Sequence, residues 1–203
     1  NGFTVFISTF VANIYSTMNI LLLGFLSTNV EVGYYSASQK LVYFSIGIIG
    51  YPLSLTLYPR ISRSFAISEA FGRSTHLKYL KIFLLPSFLV SLMLYFSAET
   101  GIMLIFGNSF AGAIDLLKVL SPLPFILAIS NYFGVLGLLN MKRDSDFLIV
   151  TSIGVLLGIS MNILLYKTLG VIGFCLGWLF TEVIVSAMMF YKYHYADRSW
   201  KNS

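Results

Sequence analysis

Charge is scarce in this chain. Only 10% of its 203 residues are Asp, Glu, Lys or Arg, and 57% are hydrophobic. Soluble domains carry about 25% charged residues. A domain of this length cannot fold so much apolar surface away from water, which argues against an ordinary soluble enzyme. A lipid bilayer removes the difficulty, because its tails become the solvent. Cysteine is nearly missing. Cys175, set in an apolar run, permits neither an internal disulfide nor a cysteine-based metal site. The two histidines, His76 and His194, stand far apart in segments read as polar, which is thin material for a metal centre. Motifs of catalysis are missing as well. There is no phosphate-cradling loop ending in Gly-Lys-Ser/Thr, no His-Glu-x-x-His and no Gly-x-Ser-x-Gly elbow. Neither enzymatic activity nor a cofactor is expected. The net charge of +5 raises nucleic acid as a partner. The basic residues are scattered between apolar runs rather than gathered in one patch, so membrane topology accounts for them and no nucleic-acid partner is expected.

The chain does have long apolar runs. A helix needs roughly 20 apolar residues to cross a hydrocarbon core of about 30 Å. Six stretches meet this: Phe3–Leu26, Gly33–Tyr58, Lys78–Ser97, Leu116–Asn140, Phe147–Tyr166 and Gly170–Tyr191. The expected fold is therefore all-α, a polytopic bundle of six transmembrane helices with residues 1–203 as one unit. Between the spans, Arg60, Arg63, Arg73, Lys78, Lys81, Lys142, Arg143, Lys192, Arg198 and Lys201 fall on one side, and Lys167 alone on the other. The positive-inside rule makes the first side, with both ends of the segment, cytoplasmic. Among the connections, Pro59–Leu77 is expected to be a polar cytoplasmic segment, with Phe65 and Phe71 in an amphipathic stretch on the membrane surface. Ala98–Asp115 is expected to dip into the opposite interface as a half-turn or short helix around Ile102–Phe106. The chain opens on Asn1 with no cleavable-leader pattern, and is expected to be the C-terminal part of a longer membrane protein.

At 100° per residue, Ser36, Lys40, Tyr43, Gly47, Gly50 and Ser54 share a narrow arc of the second span. Such a stripe is either a tight helix–helix seam or the wall of a wet cavity. Pro52 in the same span predicts a kink. The first span aligns Thr9, Asn13, Ser16 and Thr17, with Asn19 at the edge. Small residues align on the fifth span (Thr151, Gly154, Gly158 with Asn162) and the sixth (Gly173, Gly177, Thr181). Glu182 lies mid-span, where an unpaired charge costs about 2.5–3.5 kcal/mol. It is either a protonated carboxyl bonded to a neighbouring helix or a group facing water. Lys40 lies about 10 Å inside its span, either snorkelling outward or lining a polar interior shared with Glu182.

These residues also resemble a known family. Asn19-Ile-Leu-Leu-Leu-Gly-Phe-Leu26 and Glu31-Val-Gly-Tyr-Tyr-Ser-Ala-Ser-Gln-Lys-Leu41 are similar to the seventh and eighth helices of Wzx-type O-antigen flippases, in the multidrug, oligosaccharidyl-lipid and polysaccharide (MATE-like) superfamily. Leu104-Ile-Phe-Gly107 with Ala113 and Leu116-Leu117 resembles the next outer loop. Gly158-Ile-Ser-Met-Asn162 and Gly170-Val-Ile-Gly173, ending in Thr181-Glu182, resemble the last two helices. The resemblance implies one six-helix lobe of a two-lobe transporter in the bacterial inner membrane, its partner lobe lying upstream in the same chain. The implied substrate is a lipid-linked sugar repeat unit, moved by rocking of the lobes while its tail stays among the membrane lipids. It also implies a proton or sodium gradient as the driving force and, for a cationic cavity suited to a pyrophosphate, Lys40. Where many members carry an acid this chain has Asn19, so no coupling carboxylate is implied there. Glu182 matches the family pattern. The substrate or ion pathway is therefore expected at Lys40, Glu182, Asn13, Asn19, Gln39 and Tyr43. The rival readings are a multidrug or cation antiporter of the same superfamily, and a membrane glycosyltransferase or polysaccharide polymerase.

Overall fold

The computed structural model describes residues 19–201, with side chains as far as His194. Helix occupies residues 19–26 and stops at Ser27-Thr28. Thr28 then caps α1, Asn29–Ile67, through a reciprocal box. Its hydroxyl accepts from the Glu31 N–H at 3.4 Å, and the Glu31 carboxylate accepts from the Thr28 N–H at 3.3 Å. Helix α1 runs unbroken past Pro52 and Pro59 to Ile67. Helix α2, Glu69–Phe96, follows after a single residue. Next come α3, Ala98–Phe106, a 3₁₀ turn at Asn108–Phe110, α4, Ala113–Leu120, and α5, Leu123–Asn131. A π-helical segment, Tyr132–Leu138, leads to α6, Asp144–Lys201. No strand occurs among the described residues.

The polar stretch Pro59–Leu77 is therefore not a surface loop but the ends of two helices. Its Arg, Ser and Glu residues lower the hydropathy without lowering helix propensity much. Only Ser68 leaves helical geometry (φ −161°, ψ 154°), and its hydroxyl accepts from the Phe71 N–H at 3.1 Å. Between the last two expected spans there is likewise no loop. Helix α6 is continuous except at Gly170, where φ of 62° and ψ of −144° demand glycine. Close approaches step outward evenly from that break. A Cβ on Gly173 would meet the Leu165 carbonyl at 2.0 Å, one on Gly177 the Asn162 side chain at 2.4 Å, and one on Gly154 the Val185 side chain at 2.6 Å. The two halves of α6 thus form an antiparallel hairpin whose seam exists because three residues lack a side chain. Within Ala98–Asp115, Ile102–Phe106 belongs to a short helix, as expected, and Gly107 has positive φ.

Four segments are long and apolar enough to cross a membrane: Asn29–Ile67, Glu69–Phe96, Ala113–Leu138 and Asp144–His194. The last is the Gly170 hairpin and holds two of the expected spans. The first expected span lies outside the described residues except for its end at 19–26. Large apolar side chains cover the outer surface, with Phe25 at 89% exposure and Leu104 at 82%. An apolar exterior on this scale fits lipid rather than water. Inside, one buried cluster gathers Leu23, Tyr35, Val42, Leu117, Phe174 and Trp178, and a second gathers Ile61, Phe83, Tyr132, Leu136, Met189 and Tyr193.

The molecule has two distinct ends. Arg73 bonds the Tyr193 carbonyl, His76 stacks on Tyr132, and Lys192 pairs with Asp146 at 2.8 Å, so these groups lie together. At the other end Tyr166 donates to the Leu26 carbonyl at 2.6 Å, and Ser38 to that of Ala113 at 2.9 Å.

Candidate functional site

A cavity of about 630 Å³ opens between α1, α2, α5, the π-helical segment and both halves of α6. Its wall takes Trp178 from the first buried cluster and Phe83, Leu136 and Met189 from the second, so it lies where the two meet. Along α1 the lining runs from Tyr43 to Tyr58 and includes Gly50 and Ser54. Of the small-residue stripe, Tyr43, Gly50 and Ser54 line the cavity, and Ser36, Lys40 and Gly47 do not. A Cβ on Gly47 would meet nothing, and one on Gly50 only its own helix's Ile46.

Glu182 is the acid in this wall, 7% exposed. One carboxyl oxygen accepts from the Trp178 indole N–H at 3.3 Å, and the other has no hydrogen-bond donor among the described residues. Among the described residues no Lys, Arg or His lines the cavity. The polar groups around it are mostly occupied. Ser45, Ser87 and Thr181 donate to carbonyls of their own helices, and Ser54 donates to Asn131 at 3.1 Å. The Asn131 and Trp178 contributions were not foreseen from the sequence. An aromatic or amide inside an apolar run reads as ordinary membrane helix, and only packing turns it toward a hollow.

The expected site residues divide. Tyr43 and Glu182 come together through Trp178, whose ring lies 5.8 Å from that of Tyr43. Gln39 is buried behind them and donates to the Tyr35 hydroxyl at a long 3.5 Å, and the Tyr35 ring in turn lies 6.3 Å from Trp178. Asn19 is buried but elsewhere, accepting from the Asn162 amide at 3.0 Å. The Asn19 N–H₂ and the Asn162 oxygen have no hydrogen-bond partner among the described residues. Lys40 is exposed and is absent from the cavity wall, one helical turn before Tyr43. It does not share this hollow with Glu182. Asn13 lies outside the described residues.

His76, expected in a polar segment, is instead fully buried. It stacks on Tyr132 at 4.2 Å, and its Nε2 lies 3.0 Å from the Tyr132 carbonyl. A carbonyl can only accept, so Nε2 carries the proton. The Tyr132 hydroxyl donates back to the His76 carbonyl. This clasp ties α2 to the first residue of the π-helical segment. Gly137 in that segment makes room for Tyr193, whose ring a Cβ there would meet at 2.8 Å.

Comparison with known proteins agrees with the helical, apolar character of the chain. Residues 1–65 match a family described as polysaccharide biosynthesis protein. The chain is 31% identical over 192 residues to a putative O-antigen transporter of Escherichia coli (strain K12), a match covering 93% of this chain and 45% of that protein. It thus spans about half the length of the relative it matches. No solved structure matches it. By sequence, then, the chain is similar to polysaccharide biosynthesis proteins at residues 1–65 and to a putative O-antigen transporter over nearly its whole length, and it has apolar helices long enough to cross a membrane.

Proposed function

We propose that the chain is one lobe of a transporter that moves lipid-linked oligosaccharide, an O-antigen or capsule repeat unit, across the bacterial inner membrane by alternating access. The observation that carries this reading is the identity with the putative O-antigen transporter across nearly the whole chain. The fold supports it in kind. We read six spans: the one ending at residues 19–26, α1, α2, the α4 to π-helical run, and the two halves of α6. The basic residues that the fold gathers at the Arg73, Asp146 and Lys192 end are read as cytoplasmic. A second lobe supplied by the rest of a longer protein faces this one, and the sugar passes between them. Lys40, exposed on α1, is read as facing that passage, where an ammonium meets the carrier's pyrophosphate.

Deleting the gene in its host should abolish surface polysaccharide, with lipid-linked repeat units accumulating inside, and the intact gene should restore it. Lys40→Ala should reduce the restored polysaccharide by about tenfold, the scale of one lost charge-assisted contact of about 1.5 kcal/mol, and Lys40→Arg should retain most of it. Unchanged polysaccharide in the deletion strain, with raised sensitivity to cationic drugs, would replace this reading with the antiporter.

A further inference from the structure

The chain that follows α5 along the cavity is not a regular helix. Tyr132–Leu138 is π-helical, and the Leu139 N–H reaches back five residues to the Gly134 carbonyl at 3.1 Å. The wider ring takes up one residue more than the four-residue step of an α-helix. Such geometry is rare and occurs mostly as a single turn set into an α-helix, so the backbone alone favours the α form. What surrounds the segment holds it in the π form. The Tyr132 carbonyl accepts from the His76 Nε2–H at 3.0 Å, and the Leu136 carbonyl from the Asn140 side-chain amide at 3.0 Å. The Tyr193 ring lies against Gly137, where a Cβ would come within 2.8 Å of it. Tyr193 is in turn held by Arg73, which donates to its carbonyl at 3.4 Å and lies 5.3 Å over its ring.

The same segment carries Val135 and Leu136 into the cavity wall. Upstream, α5 is anchored, since Ser54 donates to Asn131 at 3.1 Å and Ser186 to the Ile126 carbonyl at 2.9 Å. Downstream, Lys142 has a φ of 58° in the short connection before α6 starts at Asp144, and that connection can take up a change of register. Returning the π turn to α geometry would turn the residues beyond it by about 100° and advance them by about 1.5 Å. The wall would change at Val135 and Leu136, and Gly137 would leave the Tyr193 ring. We propose that Tyr132–Leu138 is a register switch with a π form and an α form, whose catch is the His76–Tyr132 clasp and whose output is the shape of the cavity wall. The switch joins the Arg73 end of the molecule to that wall. It does not depend on what the protein transports.

A fluorine label on the wall reads the switch directly. The whole protein encoded by the gene, purified into nanodiscs, is labelled with a trifluoromethyl thiol reagent at Val135→Cys, a half-buried wall position. Cys175 is fully buried, and the protein without Val135→Cys serves as the labelling blank. Fluorine NMR should show a major resonance for the π form and a minor one for the α form, in slow exchange. His76→Phe removes the donor to the Tyr132 carbonyl, and Tyr132→Phe removes the hydroxyl that bonds back. Each should raise the ratio of the minor to the major form by about fivefold or more, the scale of one lost buried hydrogen bond. Gly137→Ala strikes the Tyr193 ring in the π form and should feed the same minor resonance. Size-exclusion profiles establish which variants are folded, and three separate substitutions keep the comparison open if one is not. Gain of one common second resonance by the folded variants supports the switch. No second resonance in any folded variant, or a different one in each, would mean a static bulge and overturns the proposal. Surface polysaccharide, measured separately, reports on the transport reading alone, so the two ideas fail independently.

Discussion

At the scale of single residues, the glycines of α6 show how little separates a seam from a clash. Glycine is common in membrane helices, and sequence alone allowed those of the last two spans to mean either flexibility or packing. The coordinates decide for packing at three of them. At Gly177 a Cβ would lie 2.4 Å from the Asn162 Oδ1, 2.9 Å from its Cα and 3.0 Å from its N. Gly177→Val should lower the thermal midpoint of the purified protein, by the equivalent of about 1–3 kcal/mol for overpacking. Gly101→Ala is the counter-case. A Cβ there meets only the Leu41 side chain at 3.9 Å, an ordinary contact. That variant should leave the midpoint unchanged or raise it slightly, as alanine is favoured over glycine in helices by about 0.5–1 kcal/mol. Equal effects from the two substitutions would show that the seam is not as tight as drawn. Glu182 was legible from sequence by its rarity in an apolar run, and it does face a hollow. Lys40 was equally conspicuous but lies a turn beyond that hollow. A helical wheel assigns an angle around the axis, and says nothing about where along the axis a cavity starts.

At the scale of elements, the connections were less legible than the helices. Hydropathy marks where lipid ends, whereas a helix ends only where backbone geometry changes. The chain between Pro59 and Leu77 leaves lipid-like composition over many residues yet leaves helical geometry at Ser68 alone. His76 was lost for the same reason. Placed by composition in a polar segment, it sits on the buried face of α2, where its ring stacks on Tyr132 and lies 4.8 Å from that of Tyr193. The paired bonds between His76 and Tyr132 join α2 to the start of a π-helical segment, an irregularity common at functional sites. Because each residue bonds the other's carbonyl, removing one side chain should unsettle the remaining bond. His76→Phe and Tyr132→Phe should each destabilise by about 1–3 kcal/mol, as expected when a buried partner is removed. The double variant should lose less than the two combined, with a coupling of about 0.5–3 kcal/mol in a thermal-unfolding cycle. Strict additivity would show two unrelated bonds that merely share neighbours.

At the scale of the whole molecule, the fold and the charge pattern bear on each other. Counting Lys and Arg between apolar runs places ten basic residues on one side, with no knowledge of contacts. The contacts place Arg73 with Tyr193, Arg143 and Lys192 with Asp146, and His76 with Tyr132, which makes one physical end of the molecule from four separate stretches of chain. The opposite end is built from Leu26 with Tyr166, Tyr34 with Phe110, and Ser38 with Ala113. Both ends of the Gly170 hairpin seam fit this division, since Gly170 is remote in chain from Asp146 and Lys192, which meet. The proposed sidedness rests on the cytoplasmic preference of basic segments. Reporter fusions in the whole protein test it directly. A fluorescent reporter that matures only in the cytoplasm should be active when joined after Ser68 or Lys142. A phosphatase active only outside the inner membrane should be active after Gly107 or Gly170. Active phosphatase after Ser68 would show that α1 and α2 do not turn back at the cytoplasmic face, and would invert or break the arrangement on which the proposed passage at Lys40 rests.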